Sequence, residues 1–519
     1  METLVAAAFV VLTLSHVLYT RWHRAHRSKL PPGPVGLPWI GNLFQLPTDH
    51  RERTLSRWRK DFGNLIYVSF FNKPVIAINS LEIAQDLMEK RSVRYSDRPR
   101  FVHIEEMMGW MSHLGRTAAD DEFRRHRRWV QNAFLDKATL AHYHPVQHRE
   151  LYILLGKLVE SPDKYWKHFR RYVGAVLMEL EYGYTVTSEN DEFVTFAADA
   201  LVRLGYCDYP GMALLDFLPI FRNLPSWLAK FRKESADYTQ VVRRMRDAPY
   251  NFVRAGMTTG TASPSFVSAI IEEASSKGPL TPDVEEDIKI VATLVYGAGI
   301  DTTYATLSTF LLAMVRYPRV FKKAQEEIDR VVGSRFPDYA DRDSLPYLEC
   351  VLKEVHRWQV VVPLGVPHKL TTDDEYQKYN LPGGAAVVPN LWGMSRDPEY
   401  YHDPEEFYPE RFEERPDLPD PRKFVFGFGR RICPGRLLAD SSFYLVAANV
   451  IAMLNIRKAR DSVGNEIEPV VDYNSGFLSH PKQFACSIEP RSDKVAQMVK
   501  EMAAANEPKM GHSLQGLKG

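Results

Sequence analysis

The segment Phe426 to Gly435 carries the residues best suited to chemistry in this chain of 519 residues. It reads F-G-F-G-R-R-I-C-P-G and fits the pattern F-G-x-G-x-R-x-C-x-G, for which a chance match in one chain is on the order of one in a million. The glycines permit positive φ and close approach of the backbone to a flat ligand, while Pro434 suits the first turn of a helix. We therefore expect Cys433 at a helix N-terminus, where the dipole and unpaired N–H groups stabilise a metal-binding thiolate.

Arg431 precedes this cysteine by two residues. A buried arginine needs an anion, and a haem propionate supplies one. The alternative, an inert buried cysteine in a Gly-rich turn, explains Cys433 but not Arg431. The segment thus predicts an iron–thiolate centre, with Phe426 and Gly427 among its cofactor-binding residues.

A second group of reactive residues lies at 297–303, G-A-G-I-D-T-T, within an apolar helical pattern that runs from Val291 to Arg316. Glycine in mid-helix costs about 1 kcal/mol relative to alanine, so two glycines within three residues need a reason. A thin, distorted helix would leave room for dioxygen, and the Thr302 hydroxyl, bonded to the carbonyl four residues back, would help to open it. Asp301 and Thr302 would then relay protons to the oxygen. The alternative is a polar kink that only packs.

These two segments resemble the haem-binding and oxygen-activating signatures of the cytochrome P-450 superfamily. The resemblance covers about residues 31 to 490 and implies a haem-thiolate monooxygenase with haem b as cofactor and Cys433 as the iron ligand. It also selects E-x-x-R at 354–357 and P-E-R-F at 409–412, which would supply a buried structural ion-pair triad. The members of that triad are Glu354, Arg357 and Arg411.

The resemblance further implies three ligands for the haem propionates: Arg127, His368 and Arg431. Phe123 stands where the family usually has the tryptophan of W-x-x-x-R, so one N–H donor is lost. His368 closes P-L-G-V-P-H at 363–368, where the family places a basic residue. A solvated surface histidine is the alternative there.

The family's topology implies a substrate pocket built from four segments: a loop over the haem, the oxygen-activating helix, the stretch after the ion-pair helix and a late turn. Each residue taken alone is more often core filler, but together they predict an apolar pocket for an apolar or aromatic substrate. The expected lining residues are Met107, Trp110, Met111, Val295, Tyr296, Ala298, Val361, Val362, Leu364, Phe477 and Leu478.

The chain carries no flavin or nicotinamide fingerprint, so its electrons must come from another protein. Basic residues surround the predicted cysteine site, and a solvated charged surface is the alternative reading. We expect an acidic NADPH-dependent flavoprotein reductase, carrying FAD and FMN, as the partner. The net charge of +1 argues against a whole-surface attraction to nucleic acid. The basic residues in question are Arg124, Arg125, Arg127, Arg128, Arg422, Lys423, Arg430 and Arg436.

Residues 3–20 carry no formal charge and are followed by four basic residues up to Lys29. The stretch can just span hydrocarbon, and charges that follow it favour a retained anchor over a cleaved signal peptide. Because positive flanks stay cytosolic, we expect a single-pass protein of the endoplasmic reticulum membrane with a cytosolic catalytic domain. Proline-rich residues 31–38 predict a stiff spacer.

The hydrophobic patterning predicts a mainly α fold with minor β in one large domain. We divide the chain into an anchor (1–29), a catalytic domain (30–500) and a polar tail (501–519). Four scattered cysteines, Cys207, Cys350, Cys433 and Cys486, disfavour a disulfide framework or a structural zinc site. The patterning predicts a hairpin at 65–70 and 75–78 and helices at 124–137, 143–158, 282–316 and 319–332.

Together these features predict a monooxygenase that hydroxylates or oxidises an apolar or aromatic small molecule with dioxygen and NADPH-derived electrons. The segments 363–368 and 481–491 resemble fungal secondary-metabolism members of the family. A haem-thiolate isomerase or dehydratase is an alternative, but it would not need Asp301 and Thr302. A non-enzymatic haem sensor is another, but it would have no use for a reductase-facing surface.

Overall fold

The computed structural model describes residues 29–110, 121–196 and 230–508, and these form a mainly helical fold. The α-helices are α1 Arg51–Phe62, α2 Leu81–Ala84, α3 Ser92–Tyr95, α4 Asp121–Phe134, α5 Lys137–Glu160, α6 Tyr165–Tyr182, α7 Lys230–Thr259, α8 Phe266–Ser275, α9 Pro282–Arg316, α10 Pro318–Val331, α11 Pro346–Trp358, α12 Leu391–Met394, α13 Arg411–Glu414, α14 Arg422–Val425, α15 Arg436–Met453 and α16 Asp493–Asn506. Two π-helical turns, Gln85–Lys90 and Val102–Met107, and three 3-10 turns, Pro162–Lys164, Tyr339–Ser344 and Gly429–Arg431, join them.

Within the three described ranges the minor β component consists of one four-stranded sheet and two two-stranded ribbons. In the sheet β1 pairs antiparallel with β2, β2 parallel with β6, and β6 antiparallel with β3. The predicted hairpin is confirmed as the β1–β2 pair, with Leu65 opposite Ile78. The strands are β1 Leu65–Phe70, β2 Lys73–Ile78, β3 His368–Lys369, β4 Asp374–Tyr376, β5 Tyr379–Leu381, β6 Ala386–Pro389, β7 Leu454–Lys458 and β8 Cys486–Pro490.

Helix α9 is the central element of the helical core, and it packs against α6 and α15. Its predicted limits are confirmed at both ends. Pro282 occupies the first turn, where its missing N–H costs nothing, and the hydroxyl of Thr281 accepts from Val284 N. Its residues from Tyr304 to Val315 are almost all buried, which fixes the helix rigidly in the core.

Among the described residues one helix, α15, has the length and hydropathy of a membrane span, but it is 72% buried within the protein. It is therefore a core helix. The predicted anchor, except Lys29, lies outside the described residues, as do Met111, Cys207 and residues 509–519 of the predicted tail. Residues 501–506, assigned to that tail, instead complete helix α16.

Candidate functional site

The segment between α14 and α15 forms a tight turn that presents Cys433. Gly427 and Gly429 have φ of 80° and 54°, a region that favours glycine. A Cβ on Gly429 would collide with the carbonyl oxygen of Met88, so the turn's approach to the 85–90 π-helical turn also requires glycine there. The backbone N–H of Cys433 donates to Phe426 O at 2.8 Å and closes the turn. Backbone geometry, rather than side-chain packing, thus sets the position of the cysteine.

Cys433 is a free thiol just before helix α15. The helix begins at Arg436, so Pro434 precedes it and the prediction that Pro434 lies in the first turn is wrong by two residues. The N–H of Gly435 reaches the sulfur and, with nearby Arg127 and Arg436, lowers the pKa of Cys433. Burial outweighs them, so the pKa of the thiol is raised overall. The Gly435 N–H and the two arginines would stabilise the negative charge that the sulfur carries when it binds a metal.

Three arginines, Arg98, Arg127 and Arg431, gather beside this turn. Their donors reach backbone carbonyls: Arg127 donates to Ile432 O at 2.6 Å and Arg431 to Ser96 O at 2.8 Å. Burial, together with the neighbouring Arg431 cation, lowers the pKa of Arg98 to about 9. Burial likewise lowers the pKa of Arg431 to about 10. Each cation is destabilised by its surroundings, so the cluster would be stabilised by an anion.

His368 belongs to the same cluster. It is buried, and its Nδ1 lies 2.6 Å from Tyr95 O. Burial, with Arg98 and Arg431 nearby, holds its pKa well below the usual histidine value. His368 is therefore neutral and offers a hydrogen bond rather than a charge, which excludes the solvated alternative.

Arg98 is a residue that the sequence interpretation missed. Its Nη1 donates to Val366 O and Pro367 O at 2.6 and 2.7 Å, which ties it to the strand that carries His368. Its Nε is buried and has no hydrogen-bond partner among the described residues. A buried donor without a partner, beside two further arginines and a free thiol, fits a flat metal complex with two carboxylates. The residues present therefore suit haem.

Phe123 has an observable role at the position where a tryptophan was expected. The Arg431 guanidinium lies 3.8 Å from the centre of the Phe123 ring. A cation over an aromatic face is attracted to it, so Phe123 holds Arg431 without an N–H donor.

Helix α9 passes this site as one continuous α-helix from Pro282 to Arg316. The Thr302 hydroxyl donates to Ala298 O at 2.7 Å, as the sequence predicts. Ala298 is exposed although it lies in the middle of a 35-residue helix, and Thr302, one turn later on the same face, is partly exposed. This face is open where the neighbouring Tyr296, Gly297 and Ile300 are buried.

The Asp301 side chain has different surroundings from the Thr302 side chain. It is buried, and its Oδ1 lies 3.8 Å from Nη2 of Arg170 on helix α6. Asp301 and Thr302, the two residues of the predicted relay, are adjacent in the chain. Arg170 from helix α6 pairs with Asp301.

The predicted triad forms a fully enclosed cluster. Arg357 donates to both carboxylate oxygens of Glu354 at 2.8 Å, and Arg411 Nε lies 3.1 Å from each of them. Arg357 also donates to the carbonyls of Pro404 and Glu406. The cluster therefore joins helices α11 and α13 to the segment before α13.

The predicted pocket residues separate into two sets. Ser479 N donates to Val361 O at 2.8 Å, which brings the late turn with half-exposed Phe477 onto the segment after α11. Trp110 packs on Gly297 of α9. Other members lie elsewhere: Tyr296 is fully buried edge-on against Tyr182, Leu364 packs with the β1–β2 hydrophobic cluster, and Met107 O accepts from Thr239.

The predicted basic surface is partly neutralised by acidic neighbours. Arg125 pairs with Asp287, and Arg422 pairs with Asp420, Asp440 and Glu349. Arg128, Lys423 and Arg430 remain exposed. The net positive surface around the Cys433 turn is therefore smaller than the sequence suggests.

Comparison with known proteins finds a family match over most of this chain. The family model for cytochrome P-450 matches residues 31–487. Cytochrome P-450 monooxygenases 176 and 136 of Postia placenta are 45% and 41% identical over 514 and 520 residues, covering 96% and 99% of this chain and 97% and 98% of their own lengths. Cytochrome P-450 monooxygenase claR of Ampulloclitocybe clavipes is 39% identical over 482 residues, covering 91% of this chain and 89% of its own length.

Proposed function

This chain belongs to the cytochrome P-450 family and is a monooxygenase by that membership, and on this premise we propose that it binds haem b through Cys433 and hydroxylates or oxidises an apolar or aromatic small molecule. The observation that carries the proposal is the free Cys433 thiol beside half-buried Arg127 and Arg431, with buried Arg98 next to Arg431. Thiolate-bound haem supplies the activation of dioxygen, which sulfur electron donation favours. Arg98, Arg127, Arg431 and His368 would hold the propionates, and Phe426 and Gly427 would contact the ring.

In this proposal Thr302 and Asp301 move protons. The Thr302 hydroxyl already donates to Ala298 O, so its oxygen is free to accept a proton-carrying water on the open face of α9. Asp301 would exchange protons with that water, and Arg170 stabilises the carboxylate after each release. Proton transfer of this kind contributes about a hundredfold to ten-thousandfold to a rate.

The substrate would lie between Ala298, Trp110, Val361 and Phe477. These side chains are apolar and come from four separate segments, as expected for a site that orients a substrate by shape. Tyr296, Leu364 and Met107 would support the pocket rather than line it, because their contacts lie within the core or with α7. A role in fungal secondary metabolism is consistent with fungal relatives that carry the name monooxygenase.

Electrons would come from NADPH through a separate FAD/FMN reductase. Arg128, Lys423 and Arg430 are the exposed cations that an acidic partner could contact near Cys433. Residues 1–29 would anchor the chain in the endoplasmic reticulum membrane, and residues 30–500 would form the cytosolic catalytic domain. Residues 501–519 would form a tail whose first six residues belong to helix α16.

Dioxygen dependence tests the proposal against the isomerase alternative. The purified protein, supplied with a fungal reductase, NADPH and an extract from a strain that lacks the gene, should consume dioxygen and place an atom of labelled dioxygen in the product. An isomerase or dehydratase would convert the same extract without dioxygen or NADPH, and a haem sensor would convert nothing. The metabolite that accumulates without the gene then identifies the substrate.

A further inference from the structure

The late turn at 473–481 carries His480, whose ring contacts a neighbour of the Asp301–Arg170 pair. Arg170, the ion-pair partner of Asp301, also lies with its guanidinium 4.6 Å from the ring centre of Tyr304. The Tyr304 ring meets the His480 ring edge-on, with centroids 6.1 Å apart. One cation therefore lies against both the relay carboxylate and the aromatic ring that contacts His480.

His480 is held in place by its own turn. Nδ2 of Asn474 lies 3.1 Å from Nδ1 of its ring, and Asn474 N donates to His480 O at 3.0 Å. The ring is only partly buried, whereas Asp301 is buried. His480 is thus nearer to solvent than the carboxylate.

The charges around His480 come from three elements. Asp301 and Tyr304 face it from α9, and Arg170 faces it from α6. In its own segment Lys482 pairs with Asp472 at 2.6 Å, so these two charges offset each other. Burial raises the pKa of Tyr304, which leaves that ring neutral. The protonation of His480 is therefore set by its burial and by the opposing effects of Asp301 and Arg170.

We propose that Arg170 and His480 are positioning residues for Asp301 and that His480 carries protons from solvent to its carboxylate. This inference rests on the proposed monooxygenase function. An imidazolium N–H of His480 gives its proton through one water to a carboxylate oxygen of Asp301, and the ring takes a replacement proton from solvent. No electron moves and no heavy-atom bond changes. Burial lowers the pKa of His480 below the ordinary histidine value and Asp301 partly opposes that shift, so the imidazolium forms at mildly acidic pH.

The first experiment measures the electrostatic link without turnover. Hydrogen–deuterium exchange at the histidine ring, followed by mass spectrometry, gives the pKa of His480 in the haem-loaded protein. Asp301→Asn should lower that pKa because an anion is lost, and Arg170→Gln should raise it because a cation is lost. Arg170→Lys should leave it close to wild type. A His480 pKa that is the same in all four proteins would overturn the link.

The second experiment measures proton delivery. During turnover of ethoxycoumarin, an apolar aromatic probe, the fraction of consumed NADPH recovered as hydrogen peroxide is followed between about pH 5 and pH 7, because burial lowers the pKa of His480. In wild type this fraction should rise with pH as His480 loses its proton. His480→Gln should raise it roughly two- to tenfold at the acidic end, less than a direct proton donor would because water can substitute, and should abolish the pH dependence.

The matched control is His142→Gln, which removes an exposed histidine of α5 whose ring lies 2.8 Å from the Ala138 carbonyl of its own helix. It should behave as wild type in both experiments. A His480→Gln protein with the wild-type peroxide fraction and pH profile would overturn the relay. A wild type that consumes no dioxygen would instead reject the monooxygenase proposal and the relay with it, while the first experiment would still decide whether His480 and Asp301 are linked.

Discussion

The indole of Trp110 packs directly on Gly297 in the middle of helix α9. A Cβ at residue 297 would lie 2.7 Å from Cη2 and 2.8 Å from Cζ2 of that ring, which is closer than real Cβ contacts occur. Trp110 is almost fully buried, so its ring has little room to withdraw. Packing against a bulky ring is therefore a reason for glycine at residue 297.

Gly297→Ala should consequently destabilise the protein. Alanine gains about 1 kcal/mol of helix propensity, but overpacking a buried ring costs about 1–3 kcal/mol. Gly299→Ala is the matched control, because its Cβ meets Cδ1 of Leu177 at 2.8 Å, the end of a flexible side chain that can rotate away. Urea unfolding should rank Gly297→Ala below Gly299→Ala in stability. The reverse order would contradict the packing explanation.

Glu181 of helix α6 should make stability fall as pH rises. It is completely buried, and neither carboxylate oxygen has a hydrogen-bond partner among the described residues. Burial raises its pKa well above the usual value, so the native state keeps a proton that the unfolded chain releases above about pH 4.3. Its contribution to stability is complete below the unfolded pKa and is lost as pH rises through the folded pKa.

The free energy of unfolding, measured as a function of pH, should fall by about 1.4 kcal/mol per pH unit between the unfolded and folded pKa values of Glu181. Glu181→Gln should flatten this slope, and Glu272→Gln, at an exposed position of α8, should leave it unchanged. Equal slopes in wild type and Glu181→Gln would mean that the buried carboxyl is already ionised.

Removing Arg357 should be far more damaging than removing a surface arginine. Arg357→Met leaves the Glu354 carboxylate buried with Arg411 as its remaining cation and the Tyr408 N–H as a further donor, and losing the Arg357 charge costs about 3–5 kcal/mol. Arg415→Met breaks the exposed pair with Asp417 and should change stability by less than about 1 kcal/mol. Thermal unfolding distinguishes the two, and a Tm loss of equal size in both variants would contradict a structural role for the triad.

The parts of the site carried by short, residue-specific patterns could be predicted from sequence. The Cys433 turn, the Glu354 triad and the limits of α9 depend on local backbone needs and cap residues that a sequence displays directly. Arg98 could not be found because nothing in its local sequence relates it to Cys433. Its only signal is the polar run Ser96-Asp97-Arg98 before a proline.

Long-range packing accounts for the other differences. The pairing of Asp301 with Arg170 and the contact of Trp110 with Gly297 each join segments far apart in the chain, and periodicity records which face is apolar but not which partner covers it. Tyr296 shows the same limit: helical spacing places it near Ala298, but the helix turns it towards Tyr182.

Thr302→Ala should separate haem binding from oxygen chemistry. The variant loses the hydroxyl that donates to Ala298 O, while Cys433 and the arginine cluster remain. With ethoxycoumarin and reductase, product formed per NADPH should fall roughly ten- to a thousandfold and hydrogen peroxide should rise. Thr306→Ala, which removes a similar hydroxyl-to-carbonyl bond one turn later, is the control and should retain coupling. An unchanged product yield in Thr302→Ala would remove Thr302 from the mechanism.

The central claim, that Cys433 ligates the haem iron, is tested most directly by the carbon monoxide difference spectrum of the reduced protein. Cys433→Ser should lose the thiolate-type spectrum because a serine oxygen is a poor donor to iron. Cys350→Ser is the matched control, since Cys350 is a buried thiol of α11 that packs in a hydrophobic cluster with Tyr401 and Phe412. The account predicts a thiolate-type spectrum in wild type and Cys350→Ser and none in Cys433→Ser. A thiolate-type spectrum that persists in Cys433→Ser would contradict it.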